Sequence, residues 1–573
     1  MIRKVGEREY KVLAPVGLVL LAIVTAFFAY QIQNVKVDYD FEKFFPMDDS
    51  ETEFFFEHRQ KFESDNDFLL IAIENEAGIY DLDFLKKVRR YQNRLNRSQD
   101  ILFTRSIVTE EEILVYGGLT SRRPLINFKD VDLERDRKLL EKNEELLQTF
   151  VAPNGKSLCI FLRHEDYLDN DRCQDLLSYM RDLSEKFEFD KIRVAGRIIG
   201  QSFYISKMSF EMVLFVGISF VLVTVFLLIA FKSIWGLIMP VVVLMGTMVW
   251  IIGFMGWYGE PISVVMTTLP SIMFVVAISD VIHLVSRYID IYRTSPNKFN
   301  SIRDAIREVG LATFLTSITT AIGFFSLTFV SVQPIQVFGM VAGYGVMIAF
   351  VLTFLLLPIL IFLLPSPKHF KQKTKDPFWA KRLNVWFIYT LRNRRKILWI
   401  GIAVMLLSIF GASRIEVNNY LMDELSEDEP MKQDFNFLDE NYGGVRPLEL
   451  AVTLKDTNDT FWDRDLLLEV ERVEYYLENE YGATVKSSLV KAIKVMNRSQ
   501  KGGRVEEFKL PKSKRTIKRM RRPLRMADKG NFYRMMVDSN ERVMRVTGAM
   551  PDWGSQKVMK KNEAFYDFLE NET

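Results

Sequence analysis

Residues 210–231, FEMVLFVGISFVLVTVFLLIAF, decide the fold class, because Glu211 is their only charged side chain. At 1.5 Å of rise per residue, roughly 20 apolar residues cross a hydrocarbon core of about 30 Å. Six more segments have this character: residues 12–32, 234–257, 262–285, 311–330, 337–364 and 397–413. The run behind Arg3 and Lys4 is too long for a signal peptide and ends in no A-x-A site, so it reads as a retained helix. Outside these runs the chain is strongly polar. It is 49% hydrophobic yet 26% charged, and its formal net charge of +2 gives no ground for a nucleic-acid partner.

The expected organisation is a polytopic α-helical membrane protein with seven spans and two large polar domains. Its parts are an amino terminus (1–11), a first helix (12–32), a domain at 33–209, a five-helix bundle at 210–364, a basic linker (365–396), a seventh helix (397–413) and a second domain at 414–573. Lysine and arginine placement orients it. Arg3, Lys4, Arg8 and Lys11 precede the first span. Arg287, Arg293, Lys298, Arg303 and Arg307 follow the fourth, and Lys368, Lys371, Lys373, Lys375, Lys381 and Arg382 follow the sixth. The short loops 258–261 and 331–336 have none. The amino terminus is therefore expected in the cytoplasm and both polar domains outside it.

The text behind the first span recurs behind the seventh. Val35-Lys36-Val37-Asp38-Tyr39 parallels Ile415-Glu416-Val417-Asn418-Asn419. Each is followed by an acidic, helix-prone stretch (48–62 and 428–442) and an alternating, strand-like run (68–74 and 448–454). Asn154-Gly155 reads as a hairpin turn before a strand. The first domain reads as strand, helix (81–96), helical region (130–149), strand, helix (171–186) and strand (191–195), a ferredoxin-like α+β pattern. The second domain reads the same way, with a basic insert at 501–525 expected to be a solvated loop that could meet anionic headgroups. By this repeat the second copy stops before its next membrane helix, so a longer protein, or completion by another chain, is expected. Cys159 and Cys173 both fall in the first domain, where a disulfide and two free thiols are equally open.

No enzyme signature emerges: there is no nucleophile elbow, no phosphate-binding glycine loop, and only four histidines to build a metal site. The informative residues are polar ones within the spans. Asp280, in FVVAISDVIH (274–283), is costly in a membrane, by about 2.5–3.5 kcal/mol on insertion scales, and such residues often mark proton or ion paths. Low dielectric favours its neutral form, which suits it to load and release a proton. His283 shares its face. The bland alternative is an interfacial carboxylate that meets His283 or Arg287. The fifth span bears Thr313, Thr316, Ser317, Thr319 and Thr320. These are packing hydroxyls, or else Thr316 or Thr320 bonds Asp280 across the helix pair. Gly323, Pro334, Gly339, Gly343, Gly345 and Pro358 suit close packing and kinks.

The run Thr319-Thr320-Ala-Ile-Gly323-Phe324-Phe-Ser326-Leu327, with Pro334, Phe338-Gly339, Gly345 and Leu357-Pro358, resembles the fifth and sixth helices of the RND superfamily. It is most similar to the MMPL-type exporter branch related to Patched and to hopanoid exporters. Asp280-Val-Ile-His283-Leu, continuing to Tyr288, resembles that branch's fourth-helix motif. The resemblance implies an RND-like bundle with two porter-type domains in the bacterial inner membrane. It implies export of lipid-like or hydrophobic molecules, a proton gradient in place of a cofactor, and a homo-oligomer or a second half. The family's relay aspartate falls on Asp280. Val276 and Ile278 stand where the family often has glycine. Two other readings share the sequence: a lipid sensor or scaffold similar to sterol-sensing domains, and a SecDF-type assistant to protein export.

Overall fold

The computed structural model describes residues 6–36, 41–46, 48–62, 67–116, 119–166, 168–231, 233–365, 378–456, 459–526 and 531–572. Arg3, Lys4, the repeat residues Val37–Tyr39 and the linker lysines Lys368, Lys371, Lys373 and Lys375 lie outside them. In chain order, α1 (Glu7–Gln31) and α2 (Ser50–Phe62) come first. The first α+β domain follows: β1 (Phe68–Glu74), α3 (Leu82–Leu95), β2 (Ile101–Arg105), β3 (Glu111–Tyr116), β4 (Leu119–Pro124), α4 (Leu133–Glu141), α5 (Glu144–Phe150), β5 (Ser157–His164), α6 (Asn170–Phe187) and β6 (Lys191–Gly196). Five long helices come next: α7 (Arg197–Phe231), α8 (Ile234–Tyr258), α9 (Leu269–Thr294), α10 (Lys298–Phe325) and α11 (Gln333–Leu363). Then come α12 (Phe378–Arg392) and α13 (Arg394–Ala412). The second domain contains α14 (Pro430–Asn441), β7 (Arg446–Thr453), α15 (Arg464–Tyr476), β8 (Thr484–Ser487), α16 (Leu489–Gln500), α17 (Lys514–Met526), α18 (Asn531–Arg534), β9 (Val543–Met550) and α19 (Ser555–Glu572).

The chain divides into two compact units, one of residues 1–53 and 204–414, the other of 54–203 and 415–573. The first is helical. Seven helices in the described residues are long and apolar enough to cross a membrane. Local chemistry sets their ends. The Ser233 side chain caps α8 by accepting from the Gly236 N–H at 3.2 Å, and Gly259 closes it in the left-handed region at φ 88°. Pro334 sits in the first turn of α11, where a missing N–H costs nothing, while Pro358 lies buried inside that helix.

The bundle core is built from α8, α9 and α11 with one stripe of α10. Leu244, Met248 and Ile251 meet Met273, Phe274 and Ala277, with Ala321, Ala342 and Val346 filling between them. Small residues allow the close crossings. A Cβ on Gly339 would lie 2.5 Å from the Phe324 carbonyl oxygen, and one on Gly345 would lie 2.9 Å from Ile251 and Met273. Gly343 packs under the Phe325 ring. Gly323 does not follow this pattern: a Cβ there would meet open space, so it is not a packing glycine. The sequence reading missed Gly253 and Gly256, where the backbone of α1 lies against α8 at Phe28 and Gln31.

In the second unit the first sheet has the order β2-β5-β1-β6, antiparallel throughout, with α3 and α6 covering one face. Taken as four strands, this is the ferredoxin-like arrangement the sequence pattern predicts. Gly155, at φ 66°, makes the turn into β5, and Asp81 and Asp169 cap α3 and α6. The second sheet repeats the order as β8-β9-β7.

In this unit one open alternative is decided and one expectation is corrected. Cys159 and Cys173 are both free. Cys173 lies under the α3–α6 face with Leu158 and Ile160, whereas Cys159 points to the opposite face with Leu70, Ala72 and Tyr442, so the sheet itself separates them. Burial pushes the Cys159 thiol up to about 12. The basic insert is not a solvated loop throughout. Its second half forms α17, which buries Ile517, Met520 and Leu524 in the second domain's core and turns its lysines and arginines outward.

The two sheets also exchange helices. Each helix that precedes a first strand packs on the other domain's sheet. Arg193 of β6 holds Glu74 at 2.5 Å and reaches Asp434 of α14 at 3.2 Å, stacked over Phe437. Arg545 of β9 forks onto Glu449 at 2.6 and 2.8 Å and donates to the Phe62 carbonyl at the end of α2 at 3.2 Å. His58 of α2 lies 3.6 Å from the same Glu449.

Candidate functional site

Among the described residues the bundle buries one carboxylate, and it lies on α9. That helix carries a buried stripe of Met273, Phe274, Ala277, Val281, Leu284 and Tyr288, and Asp280 lies in it at 6% exposure. Helical spacing dictates this, since residues three and four apart share a face. Among the described residues the carboxylate meets one side chain by hydrogen bond: Ser317 of α10, whose Oγ lies 2.9 Å from Asp280 Oδ2. Ser317 is 3% exposed, and its Oγ also lies 2.8 Å from the Thr313 carbonyl one turn back.

α10 faces α9 with a stripe of small residues, Thr313, Ser317 and Ala321, at four-residue intervals. Thr316 and Thr320 lie one position off that stripe and are exposed. Each donates to its own helix, Thr316 to the Thr313 carbonyl at 2.8 Å and Thr320 to the Thr316 carbonyl at 2.9 Å. Neither bonds Asp280, and Ser317 takes the place expected for them. The repeat of small residues every fourth position was the signal that singles it out. His283, one turn beyond Asp280, is exposed and makes no hydrogen bond to it. Arg287 is engaged across the helix pair by Glu308, so it does not neutralise Asp280.

The site is thus a carboxylate sheltered from solvent, facing a hydroxyl and apolar side chains, with no cation bonded to it among the described residues. Such a group can hold or release a proton without breaking an ion pair. Among the described residues no group of three or more His, Cys, Asp or Glu is placed to hold a metal.

Comparison with known proteins agrees with this architecture. A protein of Methanocaldococcus jannaschii, described only as a membrane protein, is 24% identical over 360 residues, spanning 60% of this chain and 89% of its own length. Residues 76–395, more than half of the chain, match the MMPL family. That match runs from the first α+β domain through the whole Asp280 bundle, and the chain belongs to the MMPL family of transporter-like membrane proteins.

Proposed function

We propose that the protein is a proton-driven exporter of lipid-like or hydrophobic molecules, and that protonation of Asp280 drives it. The observation that carries this reading is the burial of one carboxylate in an apolar helical core where, among the described residues, its one hydrogen-bond partner is a hydroxyl. A purely structural carboxylate gains most from a fixed cation, because an unpaired buried charge is costly. A carboxylate that titrates needs the opposite. The reading places the protein in the cytoplasmic membrane with its amino terminus inside, since the basic loops all fall on one side of the seven spans. The α+β domains then stand outside and handle the substrate.

The test is flux in proteoliposomes. An inward proton gradient should drive export of a fluorescent phospholipid analogue by the wild type and not by Asp280→Asn. Lipid binding with no gradient-dependent flux would instead favour a sensor, and unchanged flux in Asp280→Asn would refute the proposal.

A further inference from the structure

The hydroxyl of Ser317 has one proton and two acceptors within reach, Asp280 Oδ2 at 2.9 Å and the Thr313 carbonyl at 2.8 Å. It cannot serve both fully. The Thr313 carbonyl is crowded as well: it takes the helical N–H from the next turn and a second hydroxyl, Thr316 Oγ1, at 2.8 Å. Thr316 has an alternative, the Ala312 carbonyl at 3.3 Å.

We infer that Ser317 is a positioning residue that reads the protonation state of Asp280 and passes it to the backbone of α10. With Asp280 ionised, Ser317 donates to the carboxylate. When a proton binds at Oδ2, the acid becomes the donor, Ser317 becomes its acceptor, and the Ser317 proton turns to the Thr313 carbonyl. The added proton stays on Asp280 and none is lost. Thr316 then yields toward Ala312. Protonation thereby reverses the direction of the one hydrogen bond joining α9 to α10 at this level and rearranges a turn of α10.

Among the described residues few ionisable groups lie on the elements packed around Asp280. α8 and α11, which pack against α9, contain no Asp, Glu, Lys, Arg or His. On α10 the nearest ionisable side chain is Glu308, which Arg287 of α9 holds. The remaining group is His283, on α9 itself and exposed. The loss of a hydrogen bond from Ser317 therefore falls directly on the ionised form of Asp280.

The inference deepens the proton-coupled reading of the same site, but its test does not need transport. In the full-length protein, reconstituted in lipid, the infrared band of the protonated carboxyl that Asp280→Asn removes is followed against pH. Ser317→Ala withdraws the donor from the carboxylate and should move the midpoint of that band up by about one pH unit. Ser317→Thr keeps the hydroxyl and should return the midpoint close to the wild type. Ser317→Cys, near in size and only a weak donor, should move it in the alanine direction and serves if alanine does not fold. A midpoint unmoved in both Ala and Cys variants, or a band that does not titrate, overturns the inference. If the band shifts as stated while Asp280→Asn still exports with the proton gradient, the inference stands and the transport reading falls.

Discussion

Asp280 in the helical bundle and Glu449 in the second α+β domain are both carboxylates largely withdrawn from water, yet their partners differ in kind. Glu449 is gripped at both oxygens by Arg545, at 2.6 and 2.8 Å, with His58 beside it. Glu74 and Arg193 make the matching contact on the other sheet. Among the described residues Asp280 has a single hydrogen-bond partner, the Ser317 hydroxyl. A paired buried charge is locked, since removing either partner strands the other. An unpaired one can change state. On the proposed reading the difference separates a structural use of buried charge from a chemical one: Arg193 pairs with Asp434 of α14 and Arg545 donates to the Phe62 carbonyl of α2, while among the described residues no cation bonds Asp280.

The largest effect should come from breaking the lock. Arg545→Ala leaves Glu449 without its fork and the end of α2 without its donor, and should destabilise the α+β unit by about 3–5 kcal/mol in denaturant unfolding. Replacing both partners by apolar residues should recover most of that loss. Asp280→Asn, by contrast, should leave unfolding stability within about 1 kcal/mol of the wild type while abolishing coupled flux. Equal destabilisation by the two variants would erase the distinction.

Glu474 of α15 sharpens the comparison, because it is buried at 3% exposure yet lacks an arginine fork. Burial pushes its carboxyl up from 4.5 to about 7, against hydrogen bonding from Ser488 and the nearby Lys494 and Lys491. Below pH 4.5 the group is protonated in both the folded and unfolded chain and is without effect. Between 4.5 and about 7 the unfolded chain gives up the proton while the fold retains it, so stability falls as pH rises, and the loss is complete above about 7. Glu474→Gln should remove that slope and gain up to about 3 kcal/mol above neutrality. Thermal unfolding at acid and alkaline pH checks it; an equal gain at both would contradict the assignment. The smallest effect concerns a local cap far from either site. Asp81→Ala removes the acceptor of the Phe84 N–H, bonded at 2.7 Å, and should cost about 1 kcal/mol in the same unfolding measurement.

Much of the architecture was legible in the sequence, because apolar runs and two-residue alternation are local signals. The strand Phe68–Glu74 and the turn at Gly155 could be read directly from such patterns. The exchange of α2 and α14 was not legible: Arg545 meets the carbonyl of Phe62, and no local pattern joins residues so distant in the chain. In the basic insert, charge obscured the spacing of Ile517, Met520 and Leu524, which marks an amphipathic helix. At the site, Asp280 stood out as a carboxylate inside an apolar span. Its partner did not, because Ser317 and Thr316 differ by one position, and which of them faces α9 depends on how α10 is rotated.

The central claim, that Asp280 couples a proton to substrate movement, is tested most directly from the proton's side. Proteoliposomes with a trapped pH indicator and no imposed gradient are given substrate on one face. The account predicts that substrate flow drives a proton flux through the wild type and none through Asp280→Asn. Substrate that crosses with no movement of protons, or protons that move equally in the variant, would contradict it.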